Sequence, residues 1–351
     1  MSQQLPDRQI VSHEPLSIAE LQILSQSPLA QQDLGPLGRQ PYLQFYSAGL
    51  DALAVSELDA LCDGLVNVPC PVIALGRRAL PPQLADCVDI VLDGDKVDHQ
   101  LLENIRRAPR AAMTLVQLLR HNAKVTPTQG LIAESLAYAT LQSGPEFAAA
   151  LPTLAKEGAL QQDDGPPILL ERQDNRLSIR LNRPATRNAY NADMRDALYE
   201  ALLLIEQDTR IVTAEISGSG ACFSVGGDLR EFGSVADPAT AHAIRSQRNV
   251  GQRMLAVSDR LCCRVHSACL GAGVELPSFA ARIVAAPGAF FQLPEIQFGL
   301  LPGAGGSVSI PRRIGRHRTA WFALTARRVR AQTALEWGLI DAIDARAEHE
   351  H

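Results

Sequence analysis

The sequence predicts an α/β fold, and three patterns along the chain support this prediction. Apolar residues alternate with polar ones in short segments, as at Leu177, Ile179 and Leu181, which is typical of half-buried strands. Segments with helical periodicity lie between these strands, as at 191–205. Glycine-rich turns follow several strands. Together these patterns indicate strand, turn and helix units that pack around a common core.

Composition narrows the class of protein. Of the 351 residues, 46% are apolar and 20% charged, which is typical of a soluble globular protein with two domains or one domain and an appendage. The formal net charge of -5 argues against broad nucleic-acid affinity. Apolar runs stop well short of the roughly 18 residues that a membrane span needs. We therefore expect neither a nucleic-acid partner nor a membrane span.

Cysteine usage and the amino terminus indicate the compartment. Seven cysteines form an odd count without CxxC spacing, so the sequence predicts neither a disulfide framework nor a metal site. The first residues lack the basic start and apolar stretch of a secretory signal. We therefore expect a cytoplasmic protein.

The first half of the chain divides into an arm and a small domain. Residues 1–40 are polar and rich in proline, so they predict a loose arm with one short helix near 18–24. Residues 41–160 predict an N-terminal domain of unknown role, either α/β or mostly helical. Its predicted strands lie at 71–75 and 88–92, and its predicted helices at 111–119 and 130–141.

A polar linker with two prolines, QQDDGPP at 161–167, separates this domain from residues 168–351. Beyond the linker, 168–181 predicts a hairpin that turns at Asp174 and Asn175. A helix is expected at 191–205. Further strands are expected at 211–216, 264–269, 282–286 and 289–293.

Two glycine turns are candidates for a binding site. Gly227 ends the pair of glycines at 226–227, and Ala272 lies in the turn LGAGVELP at 270–277. Proline fits only the first turn of a helix, so Pro277 predicts a helix start near 273–274 and an unpaired N–H at Ala272. Two such amides suit an oxyanion hole for a thioester carbonyl. Glycine turns are also common structural punctuation, and the pattern alone leaves that alternative open.

Two glutamates are candidates for proton transfer. Glu275 follows the second turn, and Glu295 follows the apolar segment FFQLP at 290–294. A carboxyl group beside an apolar surface loses hydration, which favours its protonated form and suits acid/base work near neutral pH. Taken singly, a glutamate at either position is more often a helix cap or a solvated side chain.

Four ordered motifs in the second half of the chain resemble the crotonase (enoyl-CoA hydratase/isomerase) superfamily. They are NRPATRNA at 182–189, CFSVGGDL at 222–229, ACLGAGVEL at 268–276 and LPEIQFGLLPGAGG at 293–306. The segment RVRAQTALEWGLID at 328–341 resembles a later part of the same family. The resemblance covers about 168–343 and implies a crotonase-like core of repeated ββα units arranged in a spiral.

The resemblance also implies an activity and site residues. It assigns the oxyanion hole to Gly227 and Ala272, and the acid/base pair to Glu275 and Glu295. Both glutamates of the hydratases are retained, which favours a lyase that adds water to a 2-enoyl-CoA. Arg187 and Ala189 match positions that contact coenzyme A, which would enter as part of the acyl-CoA substrate. No tightly bound cofactor and no metal are implied.

Some features depart from the family and leave alternatives. The chain stops at His351, where relatives continue into helices that cover the acyl pocket and build trimers, so we expect a catalytic domain without those helices and a homo-oligomer. An enoyl-CoA isomerase uses the same hole and a carboxylate base. A cofactor-independent oxygenase, as in relatives with helical N-terminal extensions, is a further alternative. A non-catalytic acyl-CoA-binding or assembly subunit is the alternative outside the enzymes.

Overall fold

The computed structural model describes residues 14–28, 32–76, 80–157, 163–235 and 237–348. The chain forms two compact units, Met1–Pro109 and Arg110–His351. This division differs from the boundary expected at 161–167, because the helices that follow Arg110 pack with the C-terminal core. The predicted arm and linker fall partly outside the described residues, at 1–13, 29–31 and 161–162.

The first unit is α/β. Its strands are β1 (Leu43–Tyr46), β2 (Val72–Leu75) and β3 (Ile90–Leu92), and they form a parallel sheet in the order β1-β2-β3. Its helices are α1 (Ile18–Ser25), α2 (Val55–Leu65), α3 (Pro82–Ala85) and α4 (His99–Arg107). Phe45, Leu61 and Leu65 are fully buried and centre its core. Both strands predicted in this unit are confirmed, and β1 was missed.

One disulfide lies in the first unit. Cys62 on α2 pairs with Cys87, and their Cα atoms are 6.1 Å apart. The sequence expectation that no disulfides form is therefore wrong for this pair. Spacing along the chain does not reveal it, because the two cysteines lie 25 residues apart and meet only when the unit folds. Among the described residues, the other five cysteines form no disulfide.

The second unit begins with three helices that precede the crotonase-like core. They are α5 (Pro109–Asn122), α6 (Pro127–Gln142) and α7 (Pro145–Glu157). The core helices are α8 (Ala192–Gln207), α9 (Pro238–Gln247), α10 (Val250–Ala256), α11 (Ala272–Glu275), α12 (Gly306–Ile314), α13 (Arg316–Thr325) and α14 (Ala331–Trp337). In the part of the chain that the structure describes, every helix falls short of the length or apolarity that a membrane crossing requires.

In the described part of the second unit, nine strands form two sheets. They are β4 (Ile168–Gln173), β5 (Arg176–Leu181), β6 (Thr213–Gly218), β7 (Leu261–Val265), β8 (Ala268–Leu270), β9 (Arg282–Ala285), β10 (Phe290–Gln292), β11 (Val329–Arg330) and β12 (Ala342–Ile343). The larger sheet has the order β12-β9-β7-β6-β5-β4, and the smaller has the order β11-β10-β8. From β7 to β10, successive strands alternate between the sheets, with β7 and β9 in the larger sheet and β8 and β10 in the smaller. This alternation builds the expected spiral.

Local sequence explains the entry into this core. The hairpin of β4 and β5 turns at Asp174, whose φ of 52° is left-handed, and the inward residues Leu177, Ile179 and Leu181 are buried. Helix α8 starts where the Asn191 side chain accepts a 3.0 Å hydrogen bond from the Met194 N–H. The hairpin and this helix are confirmed, with bounds within two residues of the prediction.

Candidate active site

A cavity of about 440 Å³ lies within the second unit. All four residues predicted for the oxyanion hole and the acid/base pair line it, namely Gly227, Ala272, Glu275 and Glu295. Helix α6 also contributes to its wall, through Leu131, Glu134, Ser135, Tyr138 and Gln142. The helix that the sequence placed in a separate domain therefore completes the cavity.

The amides of Gly227 and Ala272 are free of hydrogen bonds to any residue that the structure describes. At the first turn, Tyr190 bonds on both sides of Gly227, because its N–H donates to Gly226 O at 2.7 Å and its carbonyl accepts from Asp228 N–H at 2.9 Å. This pairing leaves the Gly227 N–H unused. At the second turn, Ala272 begins α11, and the first N–H of a helix has no intrahelical partner.

The helix start differs slightly from the prediction. Helix α11 begins at Ala272 rather than near 273–274, and it lasts one turn. Pro277 instead opens a separate 3₁₀ turn, Pro277–Phe279. Ala272 occupies the first position of the helix, so its N–H still has no intrahelical partner.

Close contact between the two turns brings these amides to one cavity. Gly226 has a φ of +86°, and a Cβ atom built on it would lie 2.7 Å from Leu270 O. Any side chain at this position would push the turns apart. Glycine is therefore required at Gly226 by both its conformation and its neighbour.

Glu275 is buried, with 2% of its surface exposed. Its Oε2 atom accepts hydrogen bonds from the Ala304 N–H at 2.7 Å and the Gly306 N–H at 2.9 Å. Burial, followed by the charges of Glu295 and Glu134, raises the pKa of the Glu275 carboxyl well above its ordinary value. The two amide bonds oppose this shift by stabilising the carboxylate. The group is thus fixed in place and holds a proton at pH values where an exposed glutamate does not.

Glu295 opens the 3₁₀ turn Glu295–Phe298. Its Oε2 atom is buried and has no hydrogen-bond partner among the described residues. Its Oε1 atom lies beside Gly271, where a built Cβ would approach it to 2.6 Å. Burial is the main cause that raises the pKa of this carboxyl to about 8. A protonatable carboxyl, that of Glu295, therefore lies beside Gly271, the residue before Ala272.

Glu134 is a third buried carboxyl in the cavity, and the sequence analysis missed it. Its Oε1 accepts from the Gly305 N–H at 2.6 Å, and its Oε2 accepts from the Ser307 N–H at 2.9 Å and the Ser307 hydroxyl at 2.6 Å. Burial raises the pKa of Glu134 to about 7. Its position three residues after buried Leu131 and seven before buried Leu141 put it on the apolar stripe of α6, and this was the available signal.

The backbone at 304–307 is shared between two carboxyls. The amides of Ala304 and Gly306 donate to Glu275, and those of Gly305 and Ser307 donate to Glu134. Successive N–H groups at the start of α12 therefore alternate between the two acids. This arrangement ties the position of Glu275 to a side chain from α6.

Neither of the two residues predicted to contact coenzyme A lines the cavity. Arg187 is exposed and has a left-handed φ of 56°. Ala189 is buried, and its carbonyl accepts a hydrogen bond from the Arg183 guanidinium. Tyr190, the next residue, does line the cavity. No group of three or more histidine, cysteine or acidic side chains is suited to hold a metal ion within the described residues.

Stability should fall as pH rises through the range in which these buried acids ionise. Glu134 has a pKa of about 7 in the folded protein against an ordinary 4.5, so the folded state binds more protons than the unfolded state between these values. The stabilising contribution of the proton is complete below pH 4.5 and is lost as pH rises through about 7. In Glu134→Gln the side chain is neutral at every pH. The loss of unfolding free energy across this pH range should therefore be smaller in this variant by a few kcal/mol.

Thermal unfolding measured across this pH range tests the prediction. Glu336→Gln, at an exposed glutamate, is the matched control and should keep the wild-type slope. Equal slopes for the wild type and Glu134→Gln would contradict the assignment of a bound proton to Glu134. Some slope should remain in the variant, because Glu295 also has a raised pKa.

Comparison with known proteins identifies the family to which the second half of the chain belongs. A family model described as enoyl-CoA hydratase/isomerase matches residues 171–351. The chain is 34% identical over 176 residues to the 2,3-dehydroadipyl-CoA hydratase of Escherichia coli strain K12. This match covers 50% of this chain and 68% of that protein. The chain is also 33% identical over 178 residues to a probable enoyl-CoA hydratase of Mycobacterium tuberculosis. This match covers 50% of this chain and 68% of that protein.

A third relative carries a different activity in its name. The 1,2-epoxyphenylacetyl-CoA isomerase of Escherichia coli strain K12 is 30% identical over 168 residues, which cover 47% of this chain and 64% of that protein. Hydratases and an isomerase thus share the same half of this sequence. The chain belongs to the enoyl-CoA hydratase/isomerase family of the crotonase superfamily and is an enzyme of the hydratase/isomerase type.

Proposed function

We propose that this protein hydrates 2-enoyl-CoA thioesters. One observation carries the proposal. The amides of Gly227 and Ala272, which have no hydrogen-bond partner among the described residues, line one cavity with the protonatable carboxyls of Glu275 and Glu295. The amides suit an anionic oxygen, and the carboxyls suit the gain and loss of protons near neutral pH. Hydration of a conjugated thioester needs both.

In the proposed reaction, the thioester oxygen accepts hydrogen bonds from Gly227 and Ala272. A water molecule held between Glu275 and Glu295 loses a proton as its oxygen bonds to C3, and the electrons of the C2–C3 double bond move into the thioester as an enolate. Each amide stabilises the charge on this enolate by a few kcal/mol. The enolate then takes a proton at C2 and the hydroxyacyl thioester is complete.

The positions of the two carboxyls support separate roles. Glu295 Oε1 lies against Gly271, directly before the Ala272 amide, so it is adjacent to the carbonyl end of the acyl group. We therefore assign Glu295 the proton that goes to C2. Glu275 receives the proton of the water when it is ionised, and its bonds from Ala304 and Gly306 stabilise this charged form against the burial that raises its pKa. Transfer of this proton from Glu275 to Glu295 resets the pair for the next turnover.

Coenzyme A enters this proposal as part of the substrate. The exposed Arg187 guanidinium suits a phosphate of the nucleotide, since arginine is a fixed cation with several donors. Ala189 would contribute through its backbone, although its carbonyl already accepts from Arg183. Homo-oligomer formation and a cytoplasmic location remain predictions of the sequence and belong to the same proposal.

A panel of short, long and aryl 2-enoyl-CoA thioesters tests this function. Hydration removes the conjugated double bond, so the ultraviolet absorbance of the enoyl thioester should fall when purified protein is added. A gain of this absorbance from 3-enoyl-CoA thioesters, without hydration, would support the isomerase instead. Binding of the thioesters with no change in either assay would indicate a non-catalytic subunit.

A further inference from the structure

Three arginines line the cavity, and they differ in their ion pairs. Arg195 pairs with Asp196 at 2.9 Å, and Arg248 pairs with Glu200. Arg245, on α9, has no carboxylate within 4.0 Å among the residues that the structure describes. It is nonetheless half-buried in the cavity wall. Burying part of a cation that has no ion-pair partner costs free energy, and a bound anion would reduce this cost.

The hydrogen bonds of Arg245 go only to neutral acceptors on α6. Its Nε donates to Ser135 Oγ at 3.1 Å, one Nη donates to Gln142 Oε1 at 3.2 Å, and the other donates to Ser135 O at 3.3 Å. A guanidinium has five N–H donors. Two of them, one on each Nη atom, therefore make no hydrogen bond with any described residue. One N–H on each Nη atom is therefore available to an anionic group, and a guanidinium and a carboxylate suit each other in charge and spacing.

The described surroundings orient the guanidinium without forming an ion pair with it. The Cζ atom of Arg245 lies 5.0 Å from the centre of the Tyr138 ring, and Tyr138 also lines the cavity. The aromatic face and the α6 acceptors hold the side chain against the wall. Burial lowers the pKa of the Arg245 guanidinium, and the charges of Tyr138 and Glu134 oppose this shift. The Glu134 carboxyl accepts its hydrogen bonds from Gly305 and Ser307 rather than from Arg245.

We propose that Arg245 forms a subsite for a carboxylate at the far end of the acyl chain, so that the preferred substrates are ω-carboxyacyl-CoA thioesters. This inference rests on the proposed function, because it assumes that the acyl group occupies this cavity. The two Nη donors that make no hydrogen bond within the described residues bind the carboxylate, and the substrate supplies the ion-pair partner that Arg245 lacks there. An acyl chain with a terminal methyl group would leave the guanidinium unpaired.

Matched pairs of 2-enoyl-CoA thioesters, ending in a methyl group or a carboxylate and of increasing chain length, test the subsite. The wild type should show a higher kcat/KM for the carboxylate member of at least one pair. Arg245→Gln should remove roughly 10- to 100-fold of this preference, the effect of a hydrogen-bonded charge, and should leave the methyl-ended substrate nearly unchanged. Arg245→Lys keeps the positive charge but loses the guanidinium donors. This variant should retain part of the preference for the carboxylate-ended substrate.

Arg248→Gln is the matched control, since it removes a cavity arginine that already has a carboxylate partner. It should keep the wild-type preference. If Arg245 served only to hold α9 against α6, Arg245→Gln would lower kcat/KM for both members of a pair equally and lower the melting temperature as well. That result, or a wild type that prefers the methyl-ended members, would overturn the proposal.

Binding separates failure of the subsite from failure of the proposed function. Saturated thioesters cannot be hydrated, so calorimetry with hexanoyl-CoA and its ω-carboxy counterpart reports affinity alone. Tighter binding of the ω-carboxy thioester that is lost in Arg245→Gln would support the subsite even if no enoyl thioester is hydrated. Hydration with no carboxylate preference in either assay would leave the function standing and exclude the subsite.

Discussion

Glu275→Gln and Glu295→Gln should each lower the turnover of 2-enoyl-CoA hydration by roughly 10²-fold or more, the range of a positioned proton transfer. Glutamine keeps the size of the side chain but neither takes nor gives a proton. At Glu275 its amide oxygen still accepts from the Ala304 and Gly306 amides, so the cavity should keep its shape. Turnover is measured as the loss of enoyl-thioester absorbance at saturating substrate.

The affinity for CoA thioesters should change little in both variants, because neither carboxyl is assigned to the coenzyme. Calorimetry with a saturated thioester provides this control. Near-wild-type hydration by both variants would remove these residues from the mechanism. Loss of hydration in Glu295→Gln with preserved migration of a 3-enoyl double bond would favour an isomerase.

Ala272→Pro should reduce turnover by roughly 10²- to 10³-fold, because proline has no N–H to donate to the thioester oxygen. Ala272 is the first residue of α11, where proline is sterically tolerated and no backbone hydrogen bond is lost. The predicted effect is therefore on the enolate rather than on the fold. Initial rates of the same absorbance assay measure it.

Ala272→Gly keeps the N–H and is the matched control for this substitution. It should retain most of the wild-type activity. Circular dichroism and thermal unfolding establish that the proline variant is folded. A folded proline variant with the activity of the glycine variant would exclude the Ala272 amide from the oxyanion hole.

The local features of the second half were predictable from sequence because short-range physics determines them. Alternation at Leu177, Ile179 and Leu181 indicated a strand with one buried face, and these residues are buried in β5. The glycines at 226–227 and 271 indicated turns with unusual backbone angles, and Gly226 and Gly271 have positive φ. The site residues came from the order of four motifs, and their roles remain proposals.

Other features depended on residues that are distant along the chain. Glu134 lies 171 residues before Gly305, which donates to it. Arg245 lies 110 residues after Ser135, which accepts from it. No periodicity links such pairs, and a proline-rich polar segment at 161–167 suggested a domain boundary between them. The structure instead groups α6 with the core, so the predicted separation of this helix from the catalytic cavity was not found.

By itself, the sequence determined the family, the α/β class, most strands and helices of the second unit, and the four positions proposed for catalysis, since these follow from local periodicity, backbone freedom and motif order. Only the tertiary structure decided that α6 forms a wall of the cavity, that Glu134 and Glu275 share the amides at 304–307, and that Arg245 has two free donors there. Burial and hydrogen-bond pairing depend on which segments meet in space, and local sequence patterns do not specify those meetings.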